Sequence, residues 1–285
     1  MSDEAAAIVR IALPLVLATL SEVVAERGGV VNLALEGMML AGAFSAWLVA
    51  AGGGAGMLAP ALLVAALVGG ALAAIEALFV VALRANSIVV GSALHFLCVG
   101  ATGLLFERCK TSAGVTTFTQ AGGAWASAPY VGTLLLCVLV LVLLRQTRLG
   151  LAIRAAGDAP AALRAAGGSP ARARTVALLI AGAIAGLAGA TLTTTLTGSF
   201  GEGMTNGRGF LALGLVLFAR WNALGALLAG LFLGGAFVLE MRFSLGGSNF
   251  LLRSLPYLLT IGALALFGTR DSAAPAALGK PHDAE

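Results

Sequence analysis

Between positions 26 and 44 the chain reads E-R-G-G-V-V-N-L-A-L-E-G-M-M-L-A-G-A-F, an apolar segment that opens on a glycine pair and carries Glu26, Arg27, Asn32 and Glu36. A charged side chain at membrane depth costs about 3 kcal/mol, so it is retained where it faces a bundle interior or a water-filled path. Asn32 and Glu36 are four apart, so a helix that begins by Asn32 sets an amide and a carboxylate on one face toward a polar ligand. Glu36 also reads as a brace, paired with Arg27 or holding the broken backbone at Gly28 and Gly29, because buried acids are usually paired. His95, mid-segment in S-A-L-H-F-L-C, offers a donor and an acceptor to a ligand or to a neighbouring helix. Asn206 and Arg208 stand where T-N-G-R-G-F starts a further helix, whose first N–H groups favour electron-rich atoms. Arg208 has two other readings, snorkelling to the interface or pairing with Glu202.

Other chemistries lack their residues. The chain has no G-x-x-x-x-G-K-[ST], and its one Gly-Lys pair, Gly279 and Lys280, is followed by Pro281. No nucleophile and base pair is spaced for catalysis, and Cys98, Cys109 and Cys137 form neither a disulfide framework nor a metal site. Neither metal nor cofactor is expected. The net charge of +4 comes from arginines near segment ends, a pattern that sets topology and implies no nucleic-acid partner.

The elements that must carry these residues belong to a lipid bilayer. Hydrophobic residues make up 59% of the 285, charged residues 11%, and mean hydropathy is +1.00. Soluble domains carry about 25% charge. The 39 glycines permit close helix packing where no hydrophobic effect separates helix from lipid. The expected fold is an all-α polytopic membrane protein of about nine spans, eight to ten, some discontinuous. The candidates are 8–25, 32–50, 58–83, 88–106, 130–144, 175–196, 210–220, 222–239 and 254–267. They form a single domain over 1–268, with a polar tail, 269–285, expected to be disordered. The segments from Asn32 and Asn222 resemble each other faintly, which suits a parallel repeat.

Orientation follows from the loop 145–174, which holds six arginines and one acid, Asp158, and so is expected in the cytoplasm. Counting outward puts the N-terminus outside and the C-terminus inside. Within the loop, G-D-A-P-A-A-L-R-A-A-G-G-S reads as one short helix, with Asp158 as N-cap, Pro160 early, and Gly167 or Gly168 closing it in the left-handed conformation. So short a helix is marginal alone and needs the membrane, the bundle or a partner to hold it.

That stretch resembles the cytoplasmic coupling segment of ATP-binding-cassette importer permeases, close to G-x-N-x-x-A-A-R-x-A-G-I. Gly157, Ala161, Ala162, Ala165 or Ala166, and Gly167 match, whereas Asp158 replaces Asn and Gly168 replaces an apolar residue. The 26–44 stretch and the run M-T-N-G-R-G-F-L-A-L-G-L-V-L-F-A-R-W-N-A-L-G-A-L-L-A-G resemble the nucleoside-type subgroup of the sugar and branched-chain amino-acid importer permeases. The G-x-D-L-S-V-G pattern of sugar-type members is absent at 31–37. The resemblance implies a non-enzymatic permease subunit of a bacterial cytoplasmic-membrane importer for nucleosides, or in the alternative for a ribose-like sugar or a branched-chain amino acid. A secondary transporter driven by an ion gradient is the rival class. The implied partners are a separate ATPase, a second homologous permease and an extracytoplasmic binding protein. Asn32, Glu36, His95, Asn206 and Arg208 would then line the substrate path, with His95 offered to a purine or a ribose hydroxyl. Gly157, Asp158, Ala161, Ala162, Ala165 and Gly167 would carry the coupling.

Overall fold

Long runs of Ala, Leu and Val with few breakers favour helix, and a bilayer enforces it, because each backbone polar group must be satisfied within its own segment. The computed structural model describes residues 3–50, 55–113, 127–244, 254–267 and 274–279, and every regular element among them is helical. In order these are α1 (Asp3–Arg27), α2 (Leu35–Ala50), α3 (Leu58–Ala77), α4 (Ser87–Ala113), α5 (Ala128–Gln146), α6 (Arg148–Asp158), α7 (Pro160–Ala165), α8 (Pro170–Thr191), α9 (Arg208–Ala219), α10 (Ala223–Ser244) and α11 (Leu255–Phe267). Each of the nine predicted segments is a helix. Six of them, α1, α3, α4, α5, α8 and α10, are long and apolar enough to cross a membrane, while α2 and α9 are shorter apolar helices. The protein is therefore a multi-pass membrane protein.

The bundle has a centre and a rim. The apolar windows of α1 and α8 are 72% and 67% buried, against 22–33% for α3, α4, α5 and α10, whose remaining faces are exposed leucines and valines suited to lipid. Nearly all of α2 is buried. Small residues set the spacing at the centre. A Cβ on Gly182 of α8 would overlap Ala73 and Gly69 of α3, and one on Gly186 would overlap the Ala65 carbonyl. α1 and α10 run antiparallel, with Gly230 against Val16, Gly234 against Ala12, and Arg242 paired with Glu4 at 2.6 Å at one end.

Three expectations change. The helix after the glycine pair begins at Leu35, so Asn32 precedes it and does not share a face with Glu36. The reason is local: Gly29 takes φ +89° to end α1, and the Asn32 N–H is held by the Glu22 carboxylate at 2.9 Å instead of by a helical carbonyl. Second, the loop 145–174 contains two helices. Thr147 caps α6 by accepting the Gly150 N–H at 3.0 Å, and the helix then runs through buried Ile153 and Ala156 to Asp158. Asp158 thus ends α6; α7 starts after Ala159 without a side-chain cap, with Pro160 in its first turn. Gly167, at φ +80°, closes α7 as expected, its N–H bonded to the Arg164 carbonyl at 2.9 Å. Third, within the tail expected to be disordered, residues 274–279 form a turn: Ala277 is buried and its N–H donates to the Gly157 carbonyl at 2.8 Å. Residues 268–273 and 280–285 lie outside the described residues.

Overpacking a close helix contact costs about 1–3 kcal/mol or more. Gly186→Leu is expected to lower the thermal midpoint of the detergent-purified chain by several degrees or to abolish folded yield. Gly103→Leu, on α4 where a Cβ meets nothing within 4 Å, should leave it unchanged.

Candidate functional site

Two helices of the centre are broken, and the helix starts that follow the breaks, those of α2 and α9, meet. α9 begins only at Arg208, after Asn206 and Gly207, both at positive φ (+46° and +79°). Its first N–H groups have no helical partner and need an acceptor. Glu36, in the first turn of α2, supplies both: Oε1 accepts from Gly207 N–H at 2.8 Å and Oε2 from Gly209 N–H at 2.5 Å. The carboxylate is 4% exposed, and Gly209 has no room for a Cβ beside it. Glu36 is a brace, as one reading held, but of the second break and not of Gly28 and Gly29. The helix start expected to receive ligand atoms is already occupied by this carboxylate.

His95 and Arg208 lie beside this clamp. α4 runs parallel to α2 because Gly37 and Gly91 admit it closely, and a Cβ on Gly37 would stand 2.9 Å from the His95 Cα. The His95 ring meets Phe210 of α9 edge-on, with centroids 5.3 Å apart, and its Nδ1 is buried without a hydrogen-bond partner. Arg208 donates through one Nη to the carbonyls of Met204 (3.1 Å) and Thr205 (3.3 Å) and lies over the Phe237 ring at 5.7 Å. The acid whose charge reaches it is Glu36 and not Glu202. Its Nε is buried and unpartnered. Around the clamp, His95 of α4 meets Phe210 of α9, while Arg208, two residues earlier and so on a different side of α9, turns to Phe237 of α10. Asn206 is exposed in the turn above.

Asn32 is separate from this group. It is fully buried, with its Nδ2 against Met38 Sδ at 3.6 Å and its Oδ1 unpartnered. Glu22 holds its N–H, and Glu76, also fully buried, carries two unpartnered oxygens and does not pair with Arg84. On the other side of the clamp, about two turns along α2, Phe44 and Trp47 join Phe106 and Phe200 in a buried aromatic cluster with centroids 5.0–6.2 Å apart. At the opposite end, a cavity of about 250 Å³ opens beside Gly29, Leu33, Arg84 and Asn86.

The coupling candidates lie away from this clamp, on and beside α7. α7 has no buried residue; Ala161, Ala162 and Ala165 are exposed, as are Asp158 and Gly167. Gly157 is buried directly against the first break. A Cβ on Gly29 would sit 3.2 Å from the Gly157 Cα, and one on Gly157 would overlap the Arg27 carbonyl. Buried Arg174 bridges the two, donating from Nη2 to the Ala156 carbonyl at 3.2 Å and from Nε to the Gly28 carbonyl at 3.4 Å.

A family model described as branched-chain amino acid transport system, permease component, matches residues 5–264. The chain belongs to that family. The permease is 34% identical to the guanosine ABC transporter permease protein NupQ of Bacillus subtilis, over 95% of this chain and 93% of NupQ. It is 30% identical to the nucleoside ABC transporter permease protein NupC of Lactococcus lactis, over 89% and 88% of the two chains. It is also 33% identical, over 83% and 76%, to TsgC13 of Haloferax volcanii, provisionally named a glucose ABC transporter permease protein. No solved structure matches the permease.

Hydrogen bonds to a charged partner contribute about 1.5–3 kcal/mol each. Glu36→Ala orphans one buried and one half-buried N–H group and is expected to destabilise the permease by about 3 kcal/mol in thermal unfolding, whereas Glu36→Gln, which keeps one acceptor, should lose about half as much.

Proposed function

We propose that this permease forms the transmembrane path of an ATP-driven importer of nucleosides in a bacterial cytoplasmic membrane. The observation that carries the substrate is similarity along nearly the whole chain to relatives named for guanosine and nucleoside transport. The local chemistry supports it. An imidazole, a guanidinium and an edge-on phenyl ring suit a molecule with a flat heteroaromatic face and hydroxyl groups. His95, Arg208 and Phe210 are the proposed contacts, Asn206 the entrance, Asn32 a later contact deeper in the path, and Glu36 the brace that holds the contacts in register. The aromatic cluster at Phe44, Trp47, Phe106 and Phe200 seals the outer side in this conformation.

Topology is proposed as nine crossings, with the basic 145–174 segment in the cytoplasm, the N-terminus outside and the C-terminus inside. A separate ATPase would dock on exposed α7 through the small faces of Ala161, Ala162 and Ala165. Gly157 passes its movement to Gly29, one residue before the non-helical segment that positions Val31 and Asn32, so a displacement of α6 shifts the break without crossing a compressible side-chain layer. A second permease, homologous or identical, and an extracytoplasmic binding protein at the 198–208 turn complete the assembly. The loop 108–127, the other segment expected to receive the binding protein, falls largely outside the described residues.

Import of a sugar is the second reading, favoured by the relative provisionally named for glucose. Competition uptake separates the two: excess guanosine should suppress uptake of a labelled nucleoside at least tenfold, with ribose and glucose inert. Suppression by the sugars alone would overturn the nucleoside assignment. Ala162→Glu should reduce uptake to background with normal membrane levels of the permease. Uptake that persists in this variant would remove α7 from the coupling path.

A further inference from the structure

Four arginines from four elements converge on one cleft away from the path described above. Arg27 ends α1, Arg145 lies in the last turn of α5, Arg154 is on α6, and Arg220 closes α9. The cleft has a volume of about 590 Å³, and none of its ten lining residues is acidic. Like charges repel, and Arg145 and Arg154 both lie within electrostatic reach of Arg27, whose one attracting acid is Asp158. The Arg154 Nε is buried with no partner. Arg220 and Trp221 hold consecutive left-handed conformations (φ +49° and +53°), a strained turn for residues with side chains. The turn is locked from behind: the Trp221 carbonyl accepts from Arg27 Nε at 2.9 Å and its indole N–H donates to Glu26 at 2.5 Å. The first turn of α10 opens onto the same cleft, adding the positive end of its dipole.

The cleft joins a cationic part to an apolar one. Leu224 and Leu228, one turn apart on α10, flank it and are 49% and 68% exposed on a surface that faces acyl chains. A soluble partner would leave those leucines in lipid and unused, while a phospholipid fills both parts, phosphate against guanidinium and chains along leucine. We propose that this cleft is a binding site for the phosphate headgroup of an anionic phospholipid of the inner leaflet, which offsets the repulsion among Arg27, Arg145 and Arg154 and ties the ends of α1, α5, α6 and α9 together. The α6 end of that set is the segment packed on the first break, so the lipid steadies the frame against which coupling movement occurs.

The test is native mass spectrometry of the full-length permease, purified in detergent, with phosphatidylglycerol, phosphatidylcholine or inorganic phosphate added. Phosphatidylglycerol should bind and phosphatidylcholine should not. Arg145→Gln/Arg154→Gln is expected to weaken phosphatidylglycerol binding roughly 30-fold, and Arg145→Gln alone about fivefold. Arg148→Gln/Arg164→Gln, at arginines outside the cleft, should leave it unchanged. Should the double variant not elute as a single species, the Arg145→Gln arm decides. Unchanged lipid binding in the cleft variants overturns the site. Displacement of the lipid by inorganic phosphate at equal concentration overturns a lipid in favour of a soluble anion. Loss of the co-purifying ATPase subunit with lipid binding intact assigns the cleft to that protein instead.

Discussion

Glu36 accepting two N–H groups from the start of α9 is the contact on which the centre of this permease depends. A helix that begins inside a bilayer exposes donors that water cannot reach, and each unsatisfied donor is worth several kcal/mol of instability, roughly. One carboxylate from another discontinuous helix, 171 and 173 residues away in sequence, removes two of them. It also fixes how α2 and α9 approach, because Gly209 must be bare for the carboxylate to fit. His95 and Phe210 then meet as a consequence: one rides on α4 against Gly37, the other follows Gly209 by one residue.

Backbone contact without side chains recurs at the closest approaches between elements. Gly29 on Gly157, Gly182 on Gly69 and Gly186 on Ala65 all bring main chain against main chain. Such contacts have little slack, since an interior packed to crystal density transmits displacement instead of absorbing it. The stiff axis of α8 against α1, α2 and α3 therefore serves as a reference frame. The exposed α7, joined to that frame mainly through α6, is the part free to meet a partner.

The two breaks differ in how they are held. At the first, Arg174 and the turn at 274–279 grip carbonyls around Gly28, Ala156 and Gly157 from the polar end of the bundle. At the second, an acid grips amides from within. Each break thus presents the charge opposite to its own exposed backbone groups, carbonyls to a cation and N–H groups to an anion, as the peptide dipole requires.

The sequence alone determined the all-helical membrane class, the position of each apolar segment, the two broken helices and the short helix with its glycine stop, because length, hydropathy and breaker residues act locally. It also marked Glu36, His95 and Arg208, since polar groups in apolar runs are visible without coordinates. Only the tertiary structure decided what each touches. Spacing paired Asn32 with Glu36; packing sent the first to Glu22 and the second to Gly207 and Gly209. Composition made Asp158 a cap; a Thr147 cap upstream carried α6 through it. The aromatic cluster and the four-arginine cleft were invisible to pattern. Their members lie 60 or more residues apart in places and are joined only where glycines let helices touch, a property of the assembled bundle and of no single segment.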